Sequence, residues 1–320
     1  MKANRMAVIG IGATGTVLSA ALLSQYPDTL LVGRTADLGD RLRSDGINVS
    51  GEIAYDVAVK NYTSQIEAIK DFSPSAIFLA TKTFHIEEIL GRLQNAVEPG
   101  VKIICTQNGL GPEDLVVHKF GRDSAFRMSL NLGVSLKQTG VAEVSFFNRP
   151  NHMGSLSPEN RSSGAQIAAT LTDCGFDTEF VDDIQLFVWK KMIMKCTMAS
   201  ICAVTDRTIK EALEYPPTRE IADACFKEAL AVATAMGYDI GEDYLKKARG
   251  YLEKVGVHKD SMCVDIANQT PTEIDFLGAK IVEYARARGV STPVYVTMTN
   301  LVKALESNYL KNQTFLSKGD

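Results

Sequence analysis

The sequence predicts an α/β domain followed by an all-helical domain, and three features indicate this. In the first half, short apolar segments alternate with helical patterns, which is typical of a parallel sheet covered by helices. A glycine motif directly follows the first apolar segment. Beyond Asp182 and Asp183 there is no further strong strand pattern. We therefore predict domains at residues 1–182 and 183–320, in keeping with the tendency of single cores to stop growing near about 250–300 residues.

The predicted strands of the first domain are short apolar runs bounded by turn residues. They cover residues 6–9, 29–32, 76–80, 101–105, 125–130, 141–147 and 176–181. The run at 85–97 has helical spacing, as does 164–174, which Gly175 closes. The runs at 125–130 and 141–147 are candidates for antiparallel additions to the sheet.

The second domain is predicted to consist of helices whose ends carry recognisable signals. Asp183 is a plausible N-cap for a helix reaching about residue 202, and a second helix opens at Pro216 and stops at Gly237. A third helix is expected over 274–288, with a last helix beginning at Pro293. We expect these helices to bury one apolar face each.

Composition excludes several classes of protein. The 34 basic and 38 acidic side chains give a net charge of −4, which offers no basic surface for nucleic acid. Apolar runs are shorter than the roughly 20 residues that cross a bilayer, and the start of the chain lacks a secretory signal pattern. The six cysteines form no CxxC pair and the four histidines show no metal-ligand spacing. We therefore expect a cytoplasmic protein without a metal, a membrane partner or a nucleic-acid partner.

The glycine motif has the spacing of a dinucleotide-binding turn. Gly10 permits a tight turn, Gly12 lets the backbone approach a pyrophosphate, and Gly15 allows close packing of helix on strand. Ala13 and Thr14 then lie at the helix N-terminus, where free N–H groups face phosphate. A tight turn without a ligand is the less favoured alternative.

The end of the second strand indicates the choice of cofactor. Enzymes that select NAD usually place an acidic residue there to bind the ribose 2′-hydroxyl. Here the strand is followed by Gly33 and Arg34. A guanidinium suits the 2′-phosphate of NADP(H), although an ordinary surface arginine is a serious alternative.

Polar residues follow two other strands at their carboxyl ends, where ligands bind in sheets of this kind. Asn108 comes after the strand ending at Cys105 and could contact a nicotinamide or a substrate; a turn amide is equally compatible with the local sequence. Lys82 follows another strand and could attract an anion or be a solvated loop lysine.

Two lysines four residues apart share one face of the first helix of the second domain. Lys191 and Lys195 lie among large apolar residues, and a desolvated lysine can protonate a carbonyl oxygen. Surface lysines with solvated head groups are the alternative. Further on, Glu273 could act with them or simply place a favourable charge at a helix start.

Taken together, these motifs resemble the ketopantoate reductase family, the 2-dehydropantoate 2-reductases, over most of the chain. The matching features are GIGATG at 10–15, Arg34, Lys82, QNG at 107–109, WKK at 189–191, Ser261-Met262, TEID at 272–275, Gly289 and Thr292-Pro293. The resemblance implies a Rossmann domain joined to a helical domain like that of 6-phosphogluconate dehydrogenase. It implies NADPH-dependent reduction of ketopantoate to pantoate for pantothenate and coenzyme A synthesis.

The resemblance also implies roles for individual residues. Lys191 matches the catalytic lysine, the general acid, and Glu273 its acidic partner. Asn108 and Ser261 match polar contacts of the substrate. A homodimer is compatible with this picture.

The chain departs from the family pattern at positions near the catalytic lysine. Lys195 and Ala199 stand where the family usually has asparagines, and His85 stands where a glutamine is common. A second ammonium at Lys195 would suit a 2-oxo dicarboxylate. Three hypotheses therefore stay open: ketopantoate reductase, reductase of another 2-oxo acid, and a non-catalytic NADP-binding sensor.

Overall fold

The computed structural model describes the backbone of residues 5–316 and the side chains of residues 5–254 and 256–310. Contacts within the chain divide these residues into two units. The first unit contains the described residues up to Gln107 together with Pro112–Ile184. The second contains Asn108–Gly111 and the residues from Gln185 onward. A four-residue segment that follows a strand of the first unit is thus part of the helical unit.

Two sheets form the centre of the first unit. Its strands are β1 (Met6–Ile9), β2 (Leu30–Val32), β3 (Ile47–Gly51), β4 (Tyr55–Val57), β5 (Asn61–Thr63), β6 (Ala76–Leu79), β7 (Lys102–Cys105), β8 (Ala125–Ser129), β9 (Leu132–Gln138), β10 (Val141–Phe147), β11 (Asn151–Ser155) and β12 (Thr178–Phe180). The larger sheet has the order β12-β11-β8-β7-β6-β1-β2-β5, and the smaller has the order β4-β3-β10-β9. From β5 to β8 the larger sheet is parallel, and β11 joins β8 in the antiparallel sense.

Helices cover both faces of the larger sheet. They are α1 (Ala13–Gln25), α2 (Ala36–Asp45), α3 (Ile69–Phe72), α4 (Ile86–Leu93), α5 (Pro112–Phe120) and α6 (Arg161–Asp173). Successive strand residues enter opposite cores: Val8 and Phe78 pack in the core that α1 closes, whereas Ile9 and Ile77 pack in the core that α4 closes. This doubly covered parallel sheet confirms the predicted α/β domain.

The second unit contains helices and loops but no strand among its described residues. Its helices are α7 (Ile184–Thr205), α8 (Ile209–Glu214), α9 (Pro216–Ala235), α10 (Tyr244–Val255), α11 (Ser261–Ala267), α12 (Gly278–Arg288) and α13 (Pro293–Leu316). Trp189, Phe226 and Tyr295 are fully buried and anchor its core. None of the described helices is both long enough and apolar enough to cross a membrane.

The helix expected over residues 274–288 is interrupted. Ile274–Phe276 forms one 3-10 turn, and Leu277 leaves the helical conformation before α12 begins at Gly278. A Cβ at Gly278 would lie 2.8 Å from Thr299 Oγ1, so close packing on α13 requires glycine there. The prediction of one continuous helix from Ile274 to Arg288 was therefore wrong in its first turn, and Glu273 precedes the 3-10 turn instead of α12.

Buried thiols are a further prediction that the structure confirms. All six cysteines are free and buried. Burial raises the pKa of Cys196 to about 12, so this thiol next to Lys195 stays protonated and is a poor nucleophile at neutral pH.

Candidate active site

The glycine motif forms a tight connection between β1 and α1. Gly10 has a φ of +99°, and a Cβ there would lie 2.6 Å from Thr81 Cγ2. A Cβ at Gly15 would lie only 1.8 Å from the Gly10 carbonyl oxygen. Both positions therefore require glycine, for the turn and for the approach of helix to strand.

The N-terminus of α1 is open to a ligand. Gly12 is the N-cap residue, is exposed, and contributes no side chain to cap the helix. A Cβ at Gly12 would meet no atom within 4 Å, so packing within the chain does not account for glycine at this position. Uncapped N–H groups at Ala13 and Thr14, beside a surface without side-chain bulk, fit a pyrophosphate.

Arg34 is held at the end of β2 by the packing of its neighbours. Tyr62 donates from its hydroxyl to the Thr35 carbonyl oxygen at 2.6 Å, and a Cβ at Gly33 would lie 2.3 Å from that hydroxyl. The Arg34 side chain is exposed, and its Nη2 lies 3.4 Å from His85 Nε2. His85, which departs from the family pattern, therefore lies next to Arg34, the residue expected to bind the 2′-phosphate.

Two other residues of the first unit follow strands at their carboxyl ends. Lys82 directly follows Thr81, the residue that packs on Gly10, and is half-buried. Gln107 follows β7 and is only 7% exposed, yet neither side-chain amide atom has a hydrogen-bond partner. A buried amide without a partner fits a site that a polar ligand completes.

Within the helical unit, Lys191 and Asn108 form a direct pair. The Lys191 ammonium donates to Asn108 Oδ1 at 2.7 Å, and both side chains are half-buried. Lys191 lies on α7, whereas Asn108 belongs to the segment that follows β7. Asn108 is thus more than a turn amide, and Lys191 is not a lysine with a solvated head group.

Gly109 fixes the position of Asn108. Its N–H donates to Met192 Sδ at 3.0 Å on one side. Gly109 has a φ of +119°, and a Cβ there would lie 2.8 Å from the Phe276 carbonyl oxygen. Both facts exclude a side chain at this position. Leu110 N donates to that same oxygen at 2.8 Å. The segment is therefore clamped between α7 and the 3-10 turn that follows Glu273.

Glu273 precedes that turn and is half-buried. It is the N-cap residue of the turn, and its side chain makes no capping hydrogen bond there. Its backbone carbonyl accepts from Phe276 N at 3.0 Å, which ties it to the turn that holds the Asn108 segment.

Lys195 is engaged by two residues of the α11 start. Its Nζ donates to Asp260 Oδ2 at 2.6 Å and to Ser261 Oγ at 2.8 Å. The hypothesis of a second ammonium at Lys195 did not include the Asp260 carboxylate, which pairs with it. The alternative of a lysine head turned to solvent is wrong, since the Lys195 side chain is 16% exposed.

Three residues that matter here were given no role by sequence reasoning: Met192, Asp260 and Phe276. Asp260 had a usable signal, since an aspartate before Ser261 is a typical N-cap, and its Oδ1 accepts from Met262 N at 2.9 Å. Met192 and Phe276 had none, because their roles depend on tertiary contacts.

Comparison with known families covers both units. A model described as Ketopantoate reductase PanE/ApbA matches residues 6–158, and one described as Ketopantoate reductase PanE/ApbA C terminal matches residues 183–306. The chain belongs to the ketopantoate reductase family. A 2-dehydropantoate 2-reductase from Archaeoglobus fulgidus is 27% identical over 96% of this chain and 99% of its own.

Solved structures show the same fold. The ternary structure of D-mandelate dehydrogenase with NADH and anilino(oxo)acetate aligns with a TM-score of 0.85 and 22% identity, over 95% of this chain and 99% of that one. A dimeric ketopantoate reductase from Staphylococcus aureus aligns with a TM-score of 0.77 and 22% identity, over 95% and 99%.

Proposed function

We propose that this member of the ketopantoate reductase family reduces ketopantoate to pantoate with NADPH. The observation that carries the proposal is the hydrogen bond from Lys191 to Asn108, which places a half-buried ammonium in a fixed direction. A positioned acid next to a polar amide is what carbonyl reduction requires of the protein. The presence of both Lys191 and Glu273 also argues against a non-catalytic NADP-binding sensor.

Lys191 acts as the general acid. Reduction of a carbonyl leaves negative charge on its oxygen, and an ammonium can both stabilise this charge and donate the proton. Asn108 accepts a hydrogen bond from the Lys191 ammonium at 2.7 Å, which orients the acid. Glu273 serves as the acidic partner that binds substrate or positions the lysine. The reduced nicotinamide supplies the hydride when it is bound.

The chain holds the dinucleotide through its first unit. Gly10, Gly12 and Gly15 with the N–H groups of Ala13 and Thr14 take the pyrophosphate, and Lys82 adds a cation. Arg34 binds the 2′-phosphate, supported by its place at the end of β2 and by the adjacent N-terminus of α2. This supports NADPH over NADH.

A second candidate is reduction of another 2-oxo acid. Ala199 is fully buried and offers no hydrogen bond, and Lys195 is bound to Asp260. A pocket lacking two amides suits a substrate with fewer hydroxyl groups than ketopantoate. The fold shared with D-mandelate dehydrogenase, whose structure carries anilino(oxo)acetate, is compatible with this candidate.

Cofactor oxidation with a substrate panel tests these proposals. The protein is incubated with NADPH or NADH and with ketopantoate, 3-methyl-2-oxobutanoate, phenylglyoxylate or 2-oxoglutarate, while absorbance of the reduced cofactor is followed. Ketopantoate with NADPH should give the highest kcat/KM. A higher value for another 2-oxo acid establishes the second candidate, and no turnover of any of them refutes both.

The homodimer is part of the proposal as well, supported by the dimeric Staphylococcus aureus structure. Light scattering of the purified protein should give twice the 34.8 kDa chain mass. A mass of one chain contradicts it.

A further inference from the structure

Glu306 of α13 is bound to the residue immediately before Glu273. Its Oε1 accepts from the backbone N–H of Thr272 at 2.8 Å, and its Oε2 accepts from the Thr272 hydroxyl at 3.3 Å. Thr272 is buried, and Glu306 is half-buried. Both oxygens of the Glu306 carboxylate therefore hold one residue, which lies 34 positions away in the chain.

Thr272 extends this hold to the backbone on the other side of Glu273. Its Oγ1, which donates to Glu306, also accepts from Ile274 N at 3.4 Å. The Glu273 carbonyl oxygen in turn accepts from Phe276 N at 3.0 Å. The backbone before and after Glu273 is thus fixed by hydrogen bonds that begin at the Glu306 carboxylate.

Two further side chains of α13 bind the same segment, but more weakly. Tyr309 donates from its hydroxyl to the Thr270 carbonyl oxygen at 3.0 Å, and Lys303 pairs with Asp275 at 2.5 Å. The Asp275 side chain is 70% exposed, and exposed ion pairs contribute little to stability. A hydrogen bond to a carboxylate is stronger than one between neutral groups. Glu306 is therefore the strongest of the three links.

The hydrogen bonds of Glu306 complete neither neighbouring helix. Glu306 lies in the interior of α13, and Thr272 precedes the 3-10 turn that comes before α12. Their direct effect is on residues 272–274, at whose centre Glu273 lies. A carboxylate that acts on a reacting group needs its backbone held in this way, because small displacements of such a group are costly to the rate.

We propose that Glu306 is a positioning residue, which acts through Thr272 to hold the Glu273 carboxylate in its working place. The inference rests on the proposed function, in which Glu273 is the acidic partner that binds substrate or positions Lys191. The role assigned to Glu306 is to orient Glu273, and it requires no contact with substrate or cofactor.

Two substitutions of Glu306 test this role in the full chain. Glu306→Met removes both acceptors and keeps the length of the side chain. With the best 2-oxo acid, its kcat should fall about 10–100-fold, since a displacement of about 1 Å can cost about 100-fold, and its affinity for NADPH should be retained. Glu306→Gln keeps an oxygen for the Thr272 N–H and should recover most of the rate. It also serves if Glu306→Met fails to fold.

Glu228→Met is the matched control. Glu228 is also a half-buried glutamate that accepts two hydrogen bonds, from Val294 N at 3.0 Å and Tyr295 N at 2.9 Å, but it caps the first turn of α13. Glu228→Met should lower the melting temperature, as Glu306→Met does, and leave kcat unchanged. An equal loss of kcat in both variants would show a general effect of α13 stability and overturn the proposal.

A double variant shows whether Glu306 acts through Glu273. When Glu306→Met is added to Glu273→Gln, kcat/KM should change by no more than about twofold, because the carboxylate that Glu306 positions is already absent. Independent sites would instead show losses that multiply. Full multiplication of the two losses contradicts the proposal.

Amide hydrogen exchange adds a measurement that does not need turnover. The N–H groups of Thr272 and Ile274 should exchange faster in Glu306→Met than in wild type, and at the wild-type rate in Glu228→Met. If wild type reduces no 2-oxo acid, the proposed function fails, while faster exchange still supports the hold of Glu306 on this segment and unchanged exchange refutes it. If wild type is active and Glu306→Met keeps its kcat, the positioning role alone is overturned.

Discussion

The Lys191 ammonium and the Asn108 side-chain oxygen lie 2.7 Å apart although the two residues are 83 positions apart in the chain. The pair exists because Gly109 lets the Asn108 segment lie against Met192 of α7. Lys191, the proposed general acid, and Asn108 thus come from different parts of the chain, and the folded helical unit brings them together.

Replacing Lys191 should abolish most of the chemistry without disturbing the cofactor site. Lys191→Met should lower kcat by roughly 10²–10⁴-fold, the range for a lost general acid, with the affinity for NADPH retained. Steady-state kinetics and cofactor binding by fluorescence measure both. Lys190→Met, next to it on α7, is the control and should keep kcat. Turnover near the wild-type rate in Lys191→Met would remove Lys191 from the mechanism.

Glu273→Gln distinguishes a chemical role from a structural one. The change keeps the size of the side chain but removes its charge, and no capping hydrogen bond is lost. We expect a lower kcat or a higher KM for the 2-oxo acid, with a melting temperature close to that of wild type. A drop in melting temperature with intact kinetics would assign Glu273 to stability instead.

Arg34→Ala should reduce the preference for NADPH over NADH. A guanidinium can form paired, charge-assisted hydrogen bonds with a phosphate, so the loss should appear mainly in KM for NADPH. The measurement is the ratio of kcat/KM for the two cofactors. Arg122→Ala, which removes a guanidinium that binds the Leu156 carbonyl, is the control. Equal use of both cofactors by wild type would disprove the role of Arg34.

Gly109→Ala should destabilise the helical unit and misplace Asn108. Alanine at a φ of +119° is strained, and its Cβ would meet the Phe276 carbonyl oxygen at 2.8 Å. A cost of about 1–3 kcal/mol is typical of such strain, and kcat should fall as well. Gly91→Ala is the control: it lies in α4, has room for a Cβ, and should stabilise the protein by about 0.5–1 kcal/mol. Denaturant unfolding compares the two, and equal stability of Gly109→Ala and wild type would contradict the clamp.

The α/β and helical parts were predictable because local signals and global fold agree there. The strands β1, β6 and β7 are continuous buried apolar runs, and the glycine motif has its expected place between β1 and α1. Pro216 and Pro293 open α9 and α13 as expected of proline in a first helical turn.

Other elements were missed for identifiable reasons. The strands β3, β4 and β5 read INVSG, YDV and NYT, so polar residues interrupt the apolar run that marks a buried strand. The helix α8 did carry a signal that was overlooked, since Thr208 and Glu211 form a capping box.

In the site, sequence reasoning found Lys191 and Asn108 individually but could not pair them, because their contact depends on tertiary structure. It identified Lys195 as unusual yet gave it the wrong electrostatic surroundings. The partner, Asp260, lies 65 positions away and is an ordinary N-cap residue by local pattern. A charged residue in an apolar region therefore needs its counter-ion located before its role can be inferred.

The assignment of Asn108–Gly111 to the helical unit has a consequence for how this protein can be taken apart. The backbone passes from one unit to the other after Gln107, after Gly111 and after Ile184, rather than once. Cutting at the single boundary suggested by the sequence would leave a helical fragment with Lys191 but without Asn108. The two units are therefore not interchangeable modules: a chimera with a relative must exchange residues 108–111 together with the helices, or the general acid loses its partner.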